Sequence, residues 1–186
     1  MDARAITTFW GDVGSLDGAI VNAGVTAVEP FLDGSSIIDA AMVETNILAN
    51  IRLARGLSSP LQGGRLVLVG SLAGEVALPY QAVYSGTKAF IRIFGLALGE
   101  EWAGDISVGV FAPGGIATDM TDIDALENLQ GQLADVDDVA EALLSFYLSD
   151  RRYTIPGRTN RASAVAARFL PASLVSKVME RVYRNE

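Results

Sequence analysis

The sequence predicts an α/β fold in which a doubly wound parallel sheet forms a single domain. Its 186 residues suit one compact domain, since domains usually contain about 100 to 200 residues. Three short and nearly continuous apolar runs lie at residues 19–21, 66–69 and 106–111, and each ends in small or turn-forming residues. Strands that are buried on both faces of a parallel sheet have this pattern. The segments between the runs are long enough for helical crossovers, and this alternation favours an open, doubly wound sheet.

Apolar residues at helical spacing predict the helices and one further strand. The predicted helices cover residues 36–57, 80–102, 136–148 and 172–184, and a short strand is expected at 152–156. The second helix contains Gly86, Gly95 and Gly99. Because glycine destabilises a helix interior, we interpret these residues as points where another element approaches closely.

The segment at residues 115–134 has no strong hydrophobic period. In doubly wound folds, ligands bind beyond the carboxyl ends of the strands, and this segment follows the last apolar run. We therefore expect it to cover a ligand pocket, with Met120, Ile123 and Leu126 as an apolar lining.

Composition excludes several functional classes. With 14 Lys and Arg against 22 Asp and Glu, the net charge is −8, and nucleic acid is not an expected partner. Cys and His are absent, so we expect no metal site of the Cys/His type, and acid–base chemistry must use Tyr, Lys or carboxylates.

The sequence gives no sign of membrane association or secretion. No apolar run reaches the ~18 residues of a membrane span, and no secretory leader pattern opens the chain, so we expect a cytoplasmic protein. The basic residues Lys177, Arg181 and Arg184 are interpreted as a solvated helix face rather than a lipid-binding patch.

Four polar residues are candidates for catalysis. Tyr84 and Lys88 are four positions apart, so on a helix they project from one face about one turn apart. A neighbouring ammonium group stabilises a phenolate and would lower the pKa of Tyr84. Ser71 follows a predicted buried strand, at the edge where such a sheet binds ligands, and Asn46 lies on the preceding helix.

These residues and their spacing resemble the short-chain dehydrogenase/reductase family. Asn22-Ala23-Gly24 is similar to the family's Asn-Ala-Gly motif, although Val21 stands where an asparagine is usual. Asn46 is similar to its helical asparagine, and Ser71, Tyr84 and Lys88 to its serine, tyrosine and lysine. The segment from Pro113 and Gly114 to Ile116 and Thr118 is similar to the PGxVxT motif. The resemblance implies a Rossmann-like fold.

The resemblance also implies a role for each residue. Tyr84 would exchange a proton with the oxygen of a carbonyl or alcohol substrate, and Ser71 would hydrogen-bond that oxygen. Lys88 would lower the pKa of Tyr84 and hold the nicotinamide ribose, while Asn46 would anchor a water that links Lys88 to solvent. The residues implied to contact NAD or NADP are Asn22, Ala23, Gly24, Tyr84, Lys88, Pro113, Gly114, Ile116 and Thr118.

The glycine-rich turn that binds the pyrophosphate in this family has no counterpart in the sequence. Gly11 and Gly14 lack the required spacing, residues 5–10 resemble the family's third strand, and Asp12-Val13 resembles the pair that touches the adenine. We therefore expect a domain truncated at its N-terminal side, with weak or absent dinucleotide binding.

This truncation would leave residues 19–22 as an unpaired strand edge. Either residues 5–10 or the same edge of a second subunit could pair with it. The family also dimerises through helices that correspond to 36–57 and 80–102, so we expect a homo-oligomer.

Two functions remain open at this stage. One is an NAD(P)-dependent oxidoreductase that interconverts a carbonyl and a secondary alcohol, supported by the set of Asn46, Ser71, Tyr84 and Lys88. The alternative is a catalytically silent relative with an assembly or regulatory role, supported by the missing phosphate-binding turn. The sequence selects neither a particular substrate nor NAD over NADP.

Overall fold

The chain forms a four-stranded parallel sheet, and the computed structural model describes residues 14–118, 121 and 133–183. The strands run in the spatial order β1 (Gly18–Val21), β2 (Arg65–Val69), β3 (Ser107–Phe111) and β4 (Tyr153–Thr154). The helices are α1 (Ser36–Val43), α2 (Ala49–Leu57), α3 (Ala82–Glu101), α4 (Val136–Tyr147), α5 (Arg158–Phe169) and α6 (Ala172–Tyr183). A π-helical turn (Glu44–Leu48) joins α1 to α2, and a 3-10 turn (Leu72–Glu75) follows β2. The predicted α/β fold with a parallel sheet is confirmed.

Alternating strand residues face two separate apolar layers. On one face, residues such as Leu66, Leu68 and Val110 pack with the buried residues of α2 and α3. On the other face, Val67 and Phe111 pack against Phe146 of α4. β2 is buried along its whole length, because helices cover both of its faces.

The structure adds two elements that the sequence pattern did not reveal. The predicted helix at 36–57 contains the π-helical turn at its centre, and α5 occupies a stretch for which no helix was predicted. The amide of Asn50 donates to the carbonyls of Thr45 and Asn46 at 3.3 and 3.1 Å. Because a π turn interrupts the regular helical hydrogen bonds, these two bonds satisfy carbonyls that the turn contains.

β1 lies at one edge of the sheet that the described residues form. Among the described residues, β1 pairs only with β2, and Ile20 is 44 % exposed. Residues 5–10 and the Gly11-Asp12-Val13 stretch lie outside the described residues, as do Met120, Ile123 and Leu126.

The two ends of the segment 115–134 are joined at the sheet. Ala117 donates its backbone N–H to Ala134, and Ala134 donates to Gly115, each at 3.0 Å. These bonds form a short parallel bridge between Ile116 and Ala134. The segment therefore leaves and returns at one place, beyond the carboxyl end of β3.

Two of the three glycines in α3 allow a close approach to the sheet. A Cβ on Gly95 would lie 2.3 Å from a methyl group of Val110, and one on Gly99 would lie 3.5 Å from the carbonyl oxygen of Val108. Nothing lies within 4 Å of the equivalent position on Gly86. The helix thus lies against β3 at both Gly95 and Gly99, but only Gly95 leaves no room for a side chain, and Gly86 makes no such contact.

This difference supplies a matched pair of variants in one helix. We expect Gly95→Ala to lower the free energy of unfolding by about 1–3 kcal/mol, because the added methyl group overpacks the contact with Val110. Gly86→Ala should raise it by up to about 1 kcal/mol, since alanine is the better helix former. Urea unfolding measures both. An unchanged midpoint for Gly95→Ala would contradict the close packing of α3 on β3.

Candidate active site

Ser71 and Tyr84 meet at the carboxyl end of β2. Ser71 caps the 3-10 turn, and its hydroxyl accepts a hydrogen bond from the N–H of Ala73 at 3.1 Å. Tyr84 lies in the first turn of α3, and its hydroxyl is close enough to the side chain of Ser71 for the serine to lower its pKa. Two hydroxyl groups, thirteen positions apart in the sequence, therefore converge where a parallel sheet presents a ligand site.

Lys88 is a buried ammonium group one turn further along α3. Its Nζ lies 5.8 Å from the ring centre of Tyr84 and donates to the carbonyl of Val69 at 3.2 Å. Burial lowers the pKa of Lys88 to about 8, because the protein interior solvates the charged form poorly. The predicted proximity of Tyr84 and Lys88 on one helix face is therefore observed.

The electrostatic effect on Tyr84 differs from the sequence expectation. Burial raises the pKa of Tyr84 above its ordinary value, and the hydrogen bond with Ser71 offsets only part of this rise. Lys88 does not counter this rise, because its own pKa is lowered to about 8 and it has lost most of its charge in the pH range where Tyr84 ionises. In this arrangement the phenol of Tyr84 is kept protonated, which suits a proton donor.

Asn46 fixes the loop after β1 against α3. It is fully buried, and its amide accepts from the N–H of Val25 at 2.8 Å and donates to the carbonyl of Val25 at 2.9 Å. The amide also donates to the hydroxyl of Thr87 at 3.0 Å. Because Thr87 directly precedes Lys88 in α3, Asn46 fixes the position of the loop after β1 relative to the lysine.

Gly24 lies beside the ammonium group of Lys88. A Cβ on Gly24 would stand 3.1 Å from Nζ and 3.5 Å from Oδ1 of Asn46. The absence of a side chain therefore leaves space next to the buried cation. Asn22 and Ala23 precede Gly24 in the loop that follows β1 and are exposed.

The residues after β3 lie at the same edge of the sheet as Ser71. The carbonyl of Pro113 accepts from the N–H of Leu72 at 2.7 Å, which ties this segment to the 3-10 turn. Gly114 lies against Asn160 of α5, where a Cβ would be 2.6 Å from the amide nitrogen. Ile116 forms the bridge to Ala134, and the N–H of Thr118 donates to the hydroxyl of Thr121 at 3.1 Å.

Tyr183 is a site residue that sequence reasoning missed. Its hydroxyl donates to Oε1 of Gln81 at 3.1 Å, and the amide of Gln81 donates to the hydroxyl of Thr26 at 3.1 Å. Burial raises the pKa of Tyr183, and the nearby charge of Tyr84 raises it further. The periodicity predicted the helix α6, but no local signal indicated that its inner face reaches residues about a hundred positions earlier.

A buried carboxylate connects the 3-10 turn to α5. Glu75 forms ion pairs with Arg92 at 3.2 Å and with Arg168 at 2.9 Å, and it accepts a hydrogen bond from the hydroxyl of Tyr153. Burial and this carboxylate raise the pKa of Tyr153. The cluster joins β4, α3 and α5 to the 3-10 turn that Ser71 caps, so it fixes the turn that positions the serine.

The pKa of Lys88 gives a prediction for stability against pH. Between pH 8 and 10.5, the unfolded chain binds a proton at this lysine that the folded chain has released. The free energy of unfolding contributed by Lys88 therefore rises with pH over this window. We expect Lys88→Met to remove that rise and to increase stability near pH 7, because no charge is then buried.

Urea unfolding at several pH values from 7 to 10.5 tests this prediction. Lys177→Met, which replaces an exposed lysine of α6, serves as the control and should follow the unmodified protein. Parallel stability curves for Lys88→Met and the unmodified protein would show that burial does not depress this pKa.

Comparison with known protein sequences identifies the family. The family model described as short chain dehydrogenase matches residues 3–127. The chain is 31 % identical over 160 residues to "3-oxoacyl-[acyl-carrier-protein] reductase FabG" of Haemophilus influenzae, covering 80 % of this chain and 66 % of that protein. It is 37 % identical over 110 residues to "Tetrahydroxynaphthalene reductase" of Pyricularia oryzae, covering 58 % of this chain and 39 % of that protein. The chain thus spans less than two thirds of the length of these relatives.

Solved structures have the same fold. A short chain dehydrogenase from Burkholderia cenocepacia in complex with NADP superposes with a TM-score of 0.81 at 21 % identity, covering 96 % of this chain and 75 % of that one. A short-chain dehydrogenase from Sphingobium yanoikuyae in complex with NADPH gives 0.77 at 21 % identity, covering 100 % and 73 %. With the family match over residues 3–127, these findings establish that the chain belongs to the short-chain dehydrogenase family.

Proposed function

We propose that the chain is an NAD(P)-dependent oxidoreductase that interconverts a carbonyl and a secondary alcohol, with Tyr84 as the general acid and base. The observation that carries this proposal is the proximity of the side chains of Ser71 and Tyr84, with Lys88 one helical turn away. Family membership and the names of the relatives, which describe reductases, support an oxidoreductase. The substrate proposed is a small carbonyl compound or the corresponding alcohol.

The hydroxyls of Ser71 and Tyr84 have different roles at the substrate oxygen. Ser71 is held at the strand end by the 3-10 turn, so it can donate a hydrogen bond to a carbonyl oxygen and stabilise negative charge there. Tyr84 then gives its phenolic proton to that oxygen, which completes the alcohol, and regains a proton from solvent. In the oxidative direction Tyr84 takes the proton back. The raised pKa of Tyr84 keeps the phenol protonated at neutral pH, which is the form that the reductive direction uses.

Lys88 supplies a positive charge that stabilises Tyr84 after its phenol has given up its proton. A tyrosinate at Tyr84 would face a buried ammonium group one turn away, and charges of opposite sign interact strongly in a poorly solvated site. With its pKa at about 8, Lys88 is mostly charged at pH 7 and can also release a proton. Asn46 acts as a positioning residue, because it fixes Thr87 and the loop of Val25 around the lysine.

The described residues fit the nicotinamide end of a dinucleotide. The space that Gly24 leaves beside Nζ of Lys88 would accept a ribose hydroxyl as a partner of the ammonium group. Asn22, Ala23, Pro113, Gly114, Ile116 and Thr118 lie in the two loops at the same edge of the sheet and would contact this end. When bound, the nicotinamide supplies or accepts the hydride. The described residues contain no glycine-rich phosphate-binding turn, so we propose weak dinucleotide binding by these residues alone.

The test compares carbonyl reduction by the unmodified protein and Tyr84→Phe at saturating NADPH. We expect the variant to lose about 10²-fold or more in rate, because it lacks the transferable proton, while its fluorescence titration with NADPH is unchanged. Tyr147→Phe removes a hydroxyl from the opposite face of the sheet and should retain the rate of the unmodified protein. Equal background rates in all three proteins would instead support the silent alternative. Micromolar affinity for NADPH would contradict the proposed weak binding.

We also propose a homo-oligomer formed through the helices α1 to α3. Large apolar side chains are exposed on these helices and the π-helical turn. Ile37 of α1 and Ile93 of α3 are the most exposed, at 79 % and 61 %, followed by Ile38, Val43, Leu48 and Leu96. Sedimentation equilibrium should give a mass above 19.6 kDa, and Ile93→Glu should shift it toward the monomer. A monomeric mass for the unmodified protein would contradict this proposal.

A further inference from the structure

The C-terminal helices α5 and α6 carry a charge opposite to that of the whole chain. Residues 158–183 contain five Arg and Lys and one Glu, a net charge of +4, whereas the chain carries −8. Of the five cations, only Arg168 lies within 4 Å of a carboxylate among the described residues. Positive charge is therefore concentrated on one part of an acidic protein.

The outer face of α6 combines this charge with apolar side chains. Leu174, Val178 and Val182 are exposed and follow one another at four-residue spacing, so they form a stripe along the helix. Lys177 and Arg181 lie at positions between them and are also exposed. At 100° per residue, the five side chains occupy an arc of about 140°. The buried Val175 lies just outside one border of this arc, next to Val182 around the helix.

The outer face of α5 has the same character. Val165 and Phe169 are 47 % and 85 % exposed and lie four residues apart. Arg158 is also exposed and lies seven residues before Val165, so it is on the same side of the helix. Leu170, 48 % exposed, joins this face to α6. We call the exposed side chains of both helices the C-terminal surface, formed by Val165, Phe169, Leu170, Leu174, Val178 and Val182 with Arg158, Lys177 and Arg181.

We propose that the C-terminal surface binds the surface of an anionic lipid bilayer. Adjacent cations attract acidic headgroups, and the apolar side chains among them, above all Phe169, enter the boundary between headgroups and acyl chains. This is peripheral binding, and no helix of the described residues is long and apolar enough to span a membrane. The sequence pattern led to the interpretation of Lys177, Arg181 and Arg184 as a solvated face of the predicted helix 172–184 alone. The helix α5, which the sequence pattern did not reveal, adds apolar and basic side chains to this surface.

Charge argues against a second copy of the chain as the occupant. A symmetric contact places the same patch on both subunits, so the basic patch that contains Arg158, Lys177 and Arg181 would face its own copy. Like charges brought together across an interface oppose association, whereas an anionic bilayer neutralises all of them at once.

The position of α6 links this surface to the candidate active site. The inner side of α6 presents Tyr183 to Gln81, and Glu180 contacts the hydroxyl of Tyr80 at 3.4 Å, both next to Tyr84. The outer side of the same helix belongs to the C-terminal surface. A bilayer bound there would lie one helix diameter from the site.

Vesicle co-sedimentation tests the proposal without cofactor or substrate, so its outcome is independent of catalysis. The probes are phosphatidylcholine vesicles and vesicles with about one third phosphatidylglycerol. We expect binding to the anionic vesicles only, and weaker binding as salt is raised. Lys177→Glu with Arg181→Glu should reduce the partition coefficient roughly fivefold or more per residue changed.

A matched pair of double variants distinguishes lipid binding through the C-terminal surface from non-specific binding by exposed apolar and basic residues. Phe169→Asn with Arg181→Glu should abolish binding, whereas Leu148→Asn with Arg151→Glu, also an exposed apolar side chain and an exposed arginine, should not. Circular dichroism confirms that each variant is folded. The proposal is overturned by absence of binding, by equal binding of both variants, or by a self-association in solution that Phe169→Asn with Arg181→Glu abolishes.

Discussion

The arrangement of the site depends on the side-chain amide of Asn46. This fully buried group bonds to both backbone polar atoms of Val25 and to the hydroxyl of Thr87, so it joins the loop after β1 to α3. A buried amide without these partners would be costly, because each unmade hydrogen bond leaves a desolvated polar atom. The π-helical turn that carries Asn46 is in turn stabilised by Asn50. The position of Lys88 relative to Gly24 follows from this network.

The second constraint is electrostatic. Lys88 and Tyr84 are held in an environment that disfavours charge on both, since burial lowers the pKa of the lysine and raises that of the tyrosine. The pKa of Lys88 thus moves toward physiological pH, whereas that of Tyr84 moves away from it, so the phenol stays protonated. The cost of burying the lysine is offset by the apolar packing of α3 on the sheet. Gly95 makes that packing possible, because a side chain there would collide with Val110 of β3.

The C-terminal helices α5 and α6 contact residues next to the candidate active site. Through Arg168, α5 pairs with Glu75 in the turn after Ser71, and through Tyr183, α6 reaches Gln81 beside Tyr84. Their outer faces are left apolar and basic. One short pair of helices therefore both positions catalytic candidates and presents a distinct surface.

The sequence by itself determined the fold class, the three longer strands to within one residue at either end, and the proximity of Tyr84 and Lys88. These follow from local rules: continuous apolar runs predict buried strands, and a spacing of four places two side chains on one helix face. It also indicated close packing at α3, although Gly86 lies in open space.

Only the tertiary structure decided the direction of the pKa shift of Tyr84, the π-helical turn, and the parts played by Glu75 and Tyr183. Each depends on contacts between residues far apart in the chain. Desolvation is a property of the whole surroundings of a group, so the spacing of Tyr84 and Lys88 could predict their proximity but not how deeply the fold would bury them.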